Sequence, residues 1–316
     1  MRVVLTGVVL AALFCCCSSL VHSAEPTMEK KLTVDGLDRK YLLHVPTKAK
    51  DPAPLVIAMH GGGGNAANMQ RMSRFDELAD REGFIVVYPE AFEGYWNDGR
   101  GVDFMPAQKR NLDDVKFLRA VVDDVAAKHK VHRGRVFSTG ISNGGLMSHR
   151  LAADASDLVA AIAPVVGGVS PEVKKKFAPK YPVSILIIQG DADPMVPIGG
   201  GGIGLPGAKK RGDVIPTADA LALYVKLNGN VGEPARSTLD KDPKDKFSVE
   251  ISKYPDGPGG VKTQYYLVHG GGHNWPGPSA LRNVNVTDSK VSPDFSATDV
   301  VWEFFKTCPS RKLAEK

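Results

Sequence analysis

The stretch that decides the fold is RVFSTGISNGGLM, residues 135–147, where a β-prone run passes into a helix-forming run. The pattern Gly-x-Ser-x-Gly at such a join is typical of a nucleophile elbow, which exposes a strained serine above a sheet. Glycines two residues before and after Ser142 let the strand and the helix approach without a Cβ clash. The pattern can also arise by chance in a chain with 33 glycines. The prediction that Ser142 is a nucleophile therefore depends on finding its catalytic partners.

A serine nucleophile needs a histidine base and a carboxylate that orients the base. Asp193 follows an apolar run at 184–189 and precedes a Pro-Met-Val-Pro turn that can direct its carboxylate, whereas Asp191 lies nearer the strand. His273 follows a glycine run after the last predicted strand, and His269 is still strand-like. We predict that Asp193 and His273 complete the triad, with Asp191 and His269 as the alternatives. The order serine, aspartate, histidine is one known for such triads.

A glycine run, HGGGGN at residues 60–65, directly follows the continuous apolar run at 54–59. Glycines can turn backbone N–H groups towards a reacting oxygen, although a flexible loop has the same composition. We predict an oxyanion hole made by the backbone N–H groups of Gly62 and Asn143. His60 is interpreted as a structural residue that orders this loop, and His149, on the helix after the serine, as structural too.

Two tryptophans are candidate substrate-binding residues. Trp96 lies in a long irregular stretch at 90–110, and loops of that length are commonly functional. Trp275 follows His273 by two positions. Flat aromatic walls would suit an aromatic acyl group or a sugar. For Trp96 the alternative is an aromatic that pins the loop.

Apolar runs that suit strands buried on both faces alternate with helix-like segments. This alternation predicts an α/β fold, a doubly wound and mostly parallel sheet with helices on both faces. One domain is expected over residues 24–316. Residues 199–216 are predicted to be an exposed glycine-rich excursion, and residues 228–260 are polar with few core candidates. The predicted strands are a hairpin at 31–45 and runs at 54–59, 84–89, 135–141, 159–166, 184–189 and 264–268; the predicted helices are 69–82, 113–130, 217–227 and 298–305.

No cofactor or metal site is predicted. A Gly-x-Gly-x-x-Gly pattern occurs at Gly202, Gly204 and Gly207, but Pro206 lies within it and no strand precedes it. No His, Cys and Asp cluster has metal-ligand spacing. The net charge is +5, and the basic clusters at 174–176 and 209–211 are short and lack interleaved aromatic residues, so they are interpreted as solvated surface. Nucleic acid is therefore not an expected partner.

The first 23 residues are predicted to be a secretory signal peptide, because an apolar run at 3–14 ends in small residues before Ala24. A lipid anchor on one of the cysteines at 15–17 is less favoured, since bulky Phe14 precedes them. No later run is long enough to span a membrane. Removal of the leader would leave Cys308 alone, so no intramolecular disulfide is expected. The protein is therefore expected to be secreted or periplasmic; its oligomeric state is not predicted.

The motifs together resemble those of secreted α/β-hydrolase esterases of the polyhydroxybutyrate depolymerase and feruloyl esterase group. The resemblance rests on PLVIAMHGGGG at 54–64, GISNGG at 140–145, GDADPMVP at 190–197 and GGGHNWPG at 270–277. It implies a Ser142, Asp193 and His273 triad and hydrolysis of carboxylic esters.

The expected function is hydrolysis of feruloyl or acetyl esters of plant polysaccharide through an acyl-enzyme. This preference rests on Trp96 and Trp275 as aromatic walls and on the absence of a separate polymer-binding domain. A polyhydroxyalkanoate depolymerase or oligomer hydrolase on the same triad is the first alternative. A carbohydrate-binding protein without catalytic activity is the alternative from another class, although a binding module has no use for a strained serine.

Overall fold

The computed structural model describes residues 27–277 and 290–312. The predicted signal peptide at 1–23 and the candidate anchoring cysteines lie outside these residues. Within them, the strands are β1 (Met28–Val34), β2 (Leu37–His44), β3 (Ala53–Met59), β4 (Ile85–Pro89), β5 (Val131–Ile141), β6 (Ala161–Val165), β7 (Ser184–Gly190), β8 (Gly201–Gly202), β9 (Asp213–Val214), β10 (Ala235–Leu239), β11 (Ser248–Lys253) and β12 (Thr263–His269).

A mixed sheet of ten strands has the order β1-β2-β4-β3-β5-β6-β7-β12-β11-β10. Its centre is parallel: β4, β3, β5, β6, β7 and β12 all run in one direction. Both edges are antiparallel, with the β1–β2 hairpin on one side and β11–β10 on the other. The predicted doubly wound, mostly parallel sheet is therefore confirmed, and its parallel strands bring their carboxyl ends to one edge.

Helices cover both faces of this sheet. Helices α1, α2 and α8 contribute to one hydrophobic core, and helices α4, α5 and α7 contribute to the other. None of the helices in the described ranges is long and apolar enough to cross a membrane. The helices are α1 (Ala66–Ser73), α2 (Phe75–Glu82), α3 (Pro106–Lys109), α4 (Asp114–Lys128), α5 (Asn143–Asp154), α6 (Pro171–Lys175), α7 (Thr217–Asn228) and α8 (Ala297–Thr307).

Strand β3 shows why the apolar runs become central strands. All seven of its residues are buried. Successive side chains point to opposite faces of a strand. Leu55 and Ile57 accordingly pack in one core, and Val56 and Ala58 pack in the other. A strand that is covered on both faces needs apolar residues at every position, which is the pattern in the sequence.

The structure departs from the sequence-based prediction at the far edge of the sheet. Residues 228–260 contain strands β10 and β11, which extend the sheet beyond β12. Four of the five residues of β10 are exposed, so this edge strand lacks the apolar signal from which a strand is predicted. The excursion at 199–216 contains the short β8–β9 pair. It contributes to the wall of the cavity described below.

Candidate active site

The three predicted catalytic residues lie at one edge of the sheet. Ser142 directly follows β5, Asp193 follows β7, and His273 follows β12. These strands belong to the contiguous parallel set β5-β6-β7-β12, so their carboxyl ends are neighbours. Ser142 and His273 both line one cavity above this edge.

The elbow at Ser142 is strained and tightly packed. Ser142 has φ 55° and ψ −118°, a conformation that a residue with a side chain rarely adopts. A Cβ added at Gly144 would lie 2.4 Å from the carbonyl oxygen of Met59, and one added at Gly140 would lie 2.6 Å from the carbonyl carbon of Gly144. Only glycine fits at either position, because β3 and the start of α5 pass too close. The Ser142 N–H donates to the Val165 carbonyl of β6 at 3.0 Å, which ties the turn to the sheet.

Asp193 and His273 form a buried pair. His273 Nδ1 lies 2.8 Å from Asp193 Oδ2, and their side chains are 3% and 1% exposed. The other carboxylate oxygen accepts the backbone N–H groups of Met195 at 2.8 Å and Val196 at 2.9 Å. The Pro-Met-Val-Pro turn thus fixes the carboxylate, as its sequence suggested. An Nδ1–H that donates to Asp193 leaves Nε2 as the atom able to accept a proton.

The alternative acid and base pair with each other. His269 Nδ1 lies 2.8 Å from Asp191 Oδ2, and the Gly270 N–H donates to Asp191 Oδ1 at 2.8 Å. Both side chains are more than a third exposed, and neither lines the cavity that contains Ser142. The carboxyl ends of β7 and β12 and the loops that follow them therefore carry two separate aspartate–histidine pairs, and the one at the cavity contains Asp193 and His273.

His60 holds the glycine loop in place. Its Nδ1 lies 2.8 Å from the Gly61 carbonyl oxygen, and its Nε2 accepts the Ala91 N–H at 3.1 Å. Nδ1 is therefore the donor, and the ring is neutral. Burial lowers the pKa of His60, which is consistent with this state. The predicted ordering role agrees with these contacts.

The backbone N–H groups of the glycine loop differ in whether the described residues provide a backbone acceptor for them. Gly63 and Gly64 donate their N–H groups to backbone carbonyls at 2.8 Å and 3.0 Å. Among the described residues, the Gly62 N–H has no such acceptor. A Cβ added at Gly62 would lie 3.6 Å from Asn143 Cβ, so the loop passes close to the first residue of α5. The Asn143 N–H at that helix end has no intrahelical acceptor either.

The Asn143 side chain joins the elbow to the loop after β4. Its Oδ1 accepts the Trp96 N–H at 2.8 Å, and its Nδ2 donates to Asp98 Oδ2 at 2.5 Å. Asp98 in turn pairs with Arg100 at 2.8 Å, with both side chains buried. This network is satisfied and buried, which rigidifies the start of α5.

Trp96 does not line the cavity, so its predicted role as a substrate wall is wrong. The side chain is fully buried, and Nε1 donates to the His60 carbonyl at 2.9 Å. The backbone at Tyr95 is extended, with φ −131° and ψ 133°, so adjacent side chains point to opposite sides. Tyr95 therefore faces the cavity, where a Cβ added at Gly62 would lie only 3.1 Å from its ring. These contacts agree with the alternative interpretation, in which Trp96 holds the loop in place.

Trp275 is also a core residue and not a wall of the cavity. It is 3% exposed and packs edge-to-face against Phe75, with ring centroids 6.1 Å apart. Its Nε1 donates to Thr298 Oγ1 of α8 at 3.0 Å. Because Trp275 is only two residues after His273, the buried indole anchors the loop that carries the imidazole.

His149 is buried away from the cavity on α5. Its Nδ1 lies 2.9 Å from the Tyr224 hydroxyl oxygen, and burial lowers the pKa of His149 to about 3. The ring is therefore neutral at ordinary pH. These contacts agree with the structural role predicted for it.

The cavity at the elbow has a volume of about 540 Å³. Its floor is formed by the glycine loop, Ser142 and His273, and its walls are largely apolar. Part of the wall comes from the excursion at 199–216. The apolar lining residues are Met69, Met72, Tyr95, Met105, Ile141, Met195, Ile203, Leu205 and Ala208.

These lining residues were mostly missed by sequence reasoning. Tyr95 was overlooked in favour of its neighbour Trp96, and Arg211 was interpreted as solvated surface although it lines the cavity. Met69 and Met72 share one face of α1, but Met105 and Met195 lie in distant parts of the chain, so no local signal would have grouped the four. The available signals were the two long stretches at 90–110 and 199–216, which both supply lining residues, since loops of that length are commonly functional.

The fold and the position of the elbow define the chain as an α/β-hydrolase. A solved acetyl xylan esterase from Aspergillus awamori superposes with a TM-score of 0.58 over 89% of this chain and 100% of that one, at 16% identity. At this identity the likeness concerns the fold.

The chain belongs to the esterase family described as Esterase PHB depolymerase, a family of carboxylic ester hydrolases, which matches residues 39–179. A putative esterase, NocK, from Nocardia uniformis subsp. tsuyamanensis is 32% identical over 86% of this chain and 82% of the relative. A feruloyl esterase B from Piromyces equi is 28% identical over 70% of this chain, but the match spans 39% of that protein. A poly(3-hydroxyalkanoate) depolymerase C from Paucimonas lemoignei is 33% identical over 40% of this chain and 30% of its own length.

Proposed function

We propose that the protein is a secreted serine esterase that cleaves feruloyl or acetyl esters of plant polysaccharide through an acyl-enzyme. The catalytic mechanism is supported by one observation: Ser142 and His273 line the same cavity, and His273 Nδ1 lies 2.8 Å from Asp193 Oδ2. Residues 1–23 would direct export and be removed in the mature protein. The substrate part is supported by the relatives named as feruloyl esterases and acetylxylan esterases.

In the proposed reaction, His273 Nε2 accepts the Ser142 hydroxyl proton while the serine oxygen attacks the ester carbonyl carbon. The carbonyl oxygen gains negative charge, which the N–H groups of Gly62 and Asn143 stabilise. The tetrahedral intermediate collapses, the imidazolium protonates the departing alcohol, and an acyl-serine remains. Water, deprotonated by His273, then releases the acid and regenerates Ser142. Asp193 holds the imidazole in the required tautomer and stabilises its cation.

Polyhydroxyalkanoate is the second candidate substrate. The family match and the depolymerase relative favour it. Tyr95 supplies an aromatic wall where Trp96 and Trp275 do not, so the case for an aromatic acyl group rests on this one ring. The flexible methionine side chains of the cavity could also adapt to an aliphatic ester.

The test is hydrolysis of three substrates by the purified protein: methyl ferulate, acetylated xylan and a short hydroxybutyrate oligomer. We expect cleavage of the first two; activity confined to the oligomer would reverse the ranking. Ser142→Ala should lower kcat by about 10⁶-fold while substrate binding persists. A protein that binds these ligands and hydrolyses none of them, before or after the substitution, would instead be the binding module considered above.

A further inference from the structure

The cavity that contains Ser142 is lined by three arginines, Arg71, Arg100 and Arg211, and by no aspartate or glutamate among the described residues. Arg100 is neutralised by its buried pair with Asp98. Within the described ranges, neither Arg71 nor Arg211 has a carboxylate partner. The open space next to the nucleophile is therefore bordered by two uncompensated positive charges.

Arg211 is held in place by its own backbone. Its N–H donates to the Ile203 carbonyl at 2.8 Å, and its carbonyl accepts from Arg100 Nη1 at 2.8 Å. Arg100 is itself fixed by Asp98, so the excursion is tied to the buried network under the elbow. Two backbone hydrogen bonds, one at the N–H and one at the carbonyl, thus hold Arg211 at the wall of the cavity. Arg211 is an exposed residue that lines the cavity while its backbone is held on both sides.

Arg71, also an exposed residue, lines the cavity from a different element. It lies on α1, which directly follows the glycine loop, and its guanidinium donates to Asn68 Oδ1, another lining residue. Asp193, the carboxylate behind His273, does not compensate either arginine. It is 1% exposed and is already used by His273 and two backbone N–H groups.

We infer that the substrate is an ester that carries a carboxylate, which Arg211 and Arg71 recognise while the ester bond lies at Ser142. A guanidinium binds a carboxylate through charge-assisted hydrogen bonds, often two at once. This inference rests on the proposed function and specifies its substrate class. The carboxylate could be the free end of a hydroxyacid oligomer or a uronic acid on an acetylated polysaccharide.

The experiment compares matched charged and neutral esters by kcat/KM. One arm uses the linear dimer of 3-hydroxybutyrate as its free acid and as its carboxamide, which share a single ester bond. The other arm uses acetylated glucuronoxylan and acetylated xylan without uronic acid. The variants are Arg211→Gln, Arg71→Gln and the double variant. Lys210→Gln is the matched control, because it removes the same charge from the adjacent residue, which does not line the cavity.

We expect the wild type to prefer the charged member of at least one pair by roughly tenfold at low salt, and the preference to shrink at about 0.5 M salt. The double variant should lower this ratio to about twofold or less, and Lys210→Gln should leave it as in the wild type. The arm that shows the preference identifies the source of the carboxylate. Equal rates on both members of both pairs, in a protein that hydrolyses them, would overturn the inference and leave the esterase assignment intact. Absence of hydrolysis of every substrate would refute the proposed function and the inference with it.

Discussion

Trp96→Phe tests whether the buried indole positions the glycine loop. The substitution removes the 2.9 Å hydrogen bond from Nε1 to the His60 carbonyl and leaves that buried oxygen without this donor. An unsatisfied buried acceptor costs about 1–3 kcal/mol, and the volume lost from indole to phenyl adds roughly 1 kcal/mol. We expect the free energy of unfolding to fall by about 2–4 kcal/mol.

The same substitution should lower kcat, because His60 leads directly into the loop that contains Gly62. Complete loss of one oxyanion donor costs about 10²–10³ in kcat, so partial displacement of the loop should cost about tenfold. KM should change little. The assay is steady-state hydrolysis of a p-nitrophenyl ester well below the unfolding temperature of the variant, with stability measured in parallel by urea unfolding.

Trp302→Phe is the control for the loss of indole packing. Trp302 is 1% exposed and stacks on Phe84 with ring centroids 3.9 Å apart, in the core beneath α8. The Trp302→Phe variant should be less stable than the wild type and keep the wild-type kcat. If Trp96→Phe lost stability to the same extent while its kcat stayed at the wild-type value, the tryptophan would be a packing residue and the positioning role would be wrong.

Three further predictions concern the acid, the elbow and pH. Asp193→Asn should lower kcat by about 10⁴-fold because the wrong tautomer of the base is favoured, whereas Asp191→Asn should have little effect; steady-state kinetics will show which aspartate is required. Gly144→Ala should destabilise the protein by about 1–3 kcal/mol or more, since its Cβ would meet a backbone oxygen at 2.4 Å, whereas Gly199→Ala, with nothing within 4 Å, should leave the unfolding temperature nearly unchanged. His149 has a pKa of about 3 when folded and 6.5 as its ordinary value, so it contributes stability above about pH 6.5 that is lost as pH falls towards 3. Between pH 7 and pH 5 this loss is about 2 kcal/mol, and urea unfolding of His149→Gln should show a correspondingly smaller decline.

Opposite outcomes would be informative for each of these variants. An impaired Asp191→Asn beside an active Asp193→Asn would transfer the acid role to the exposed pair. A Gly144→Ala protein as stable as the wild type would mean that β3 and α5 can separate at no cost. A His149→Gln variant with an undiminished acid-induced decline would place the titrating group elsewhere, for example at His60 or His129, whose pKa values burial also lowers.

The central strands and the elbow were predictable because their signals are local. Strand β3 must be apolar at every position, and a serine flanked by glycines at a strand end has few structural uses. The choice of Asp193 over Asp191 also had a local basis, since the turn after Asp193 supplies the two N–H groups that fix its carboxylate.

The walls of the cavity were not predictable because they depend on the direction of single side chains. Residues 95 and 96 are both aromatic, and only the backbone conformation decides which one faces the substrate. The same holds for Arg211, which is one of three consecutive basic residues, and the sequence does not distinguish the one that lines the cavity from the other two. The edge strand β10 was not predicted because an exposed strand is polar and differs little from a loop in composition.

The sheet order also bears on how the protein acquires its activity. Strand β12 pairs with β7, and His273 in the loop after β12 pairs with Asp193, which lies 80 positions earlier in the chain. Such distant pairings form slowly compared with local ones. During renaturation, helical signal and burial of tryptophan should return while the enzyme is still inert, and catalysis should appear only in the slowest phase.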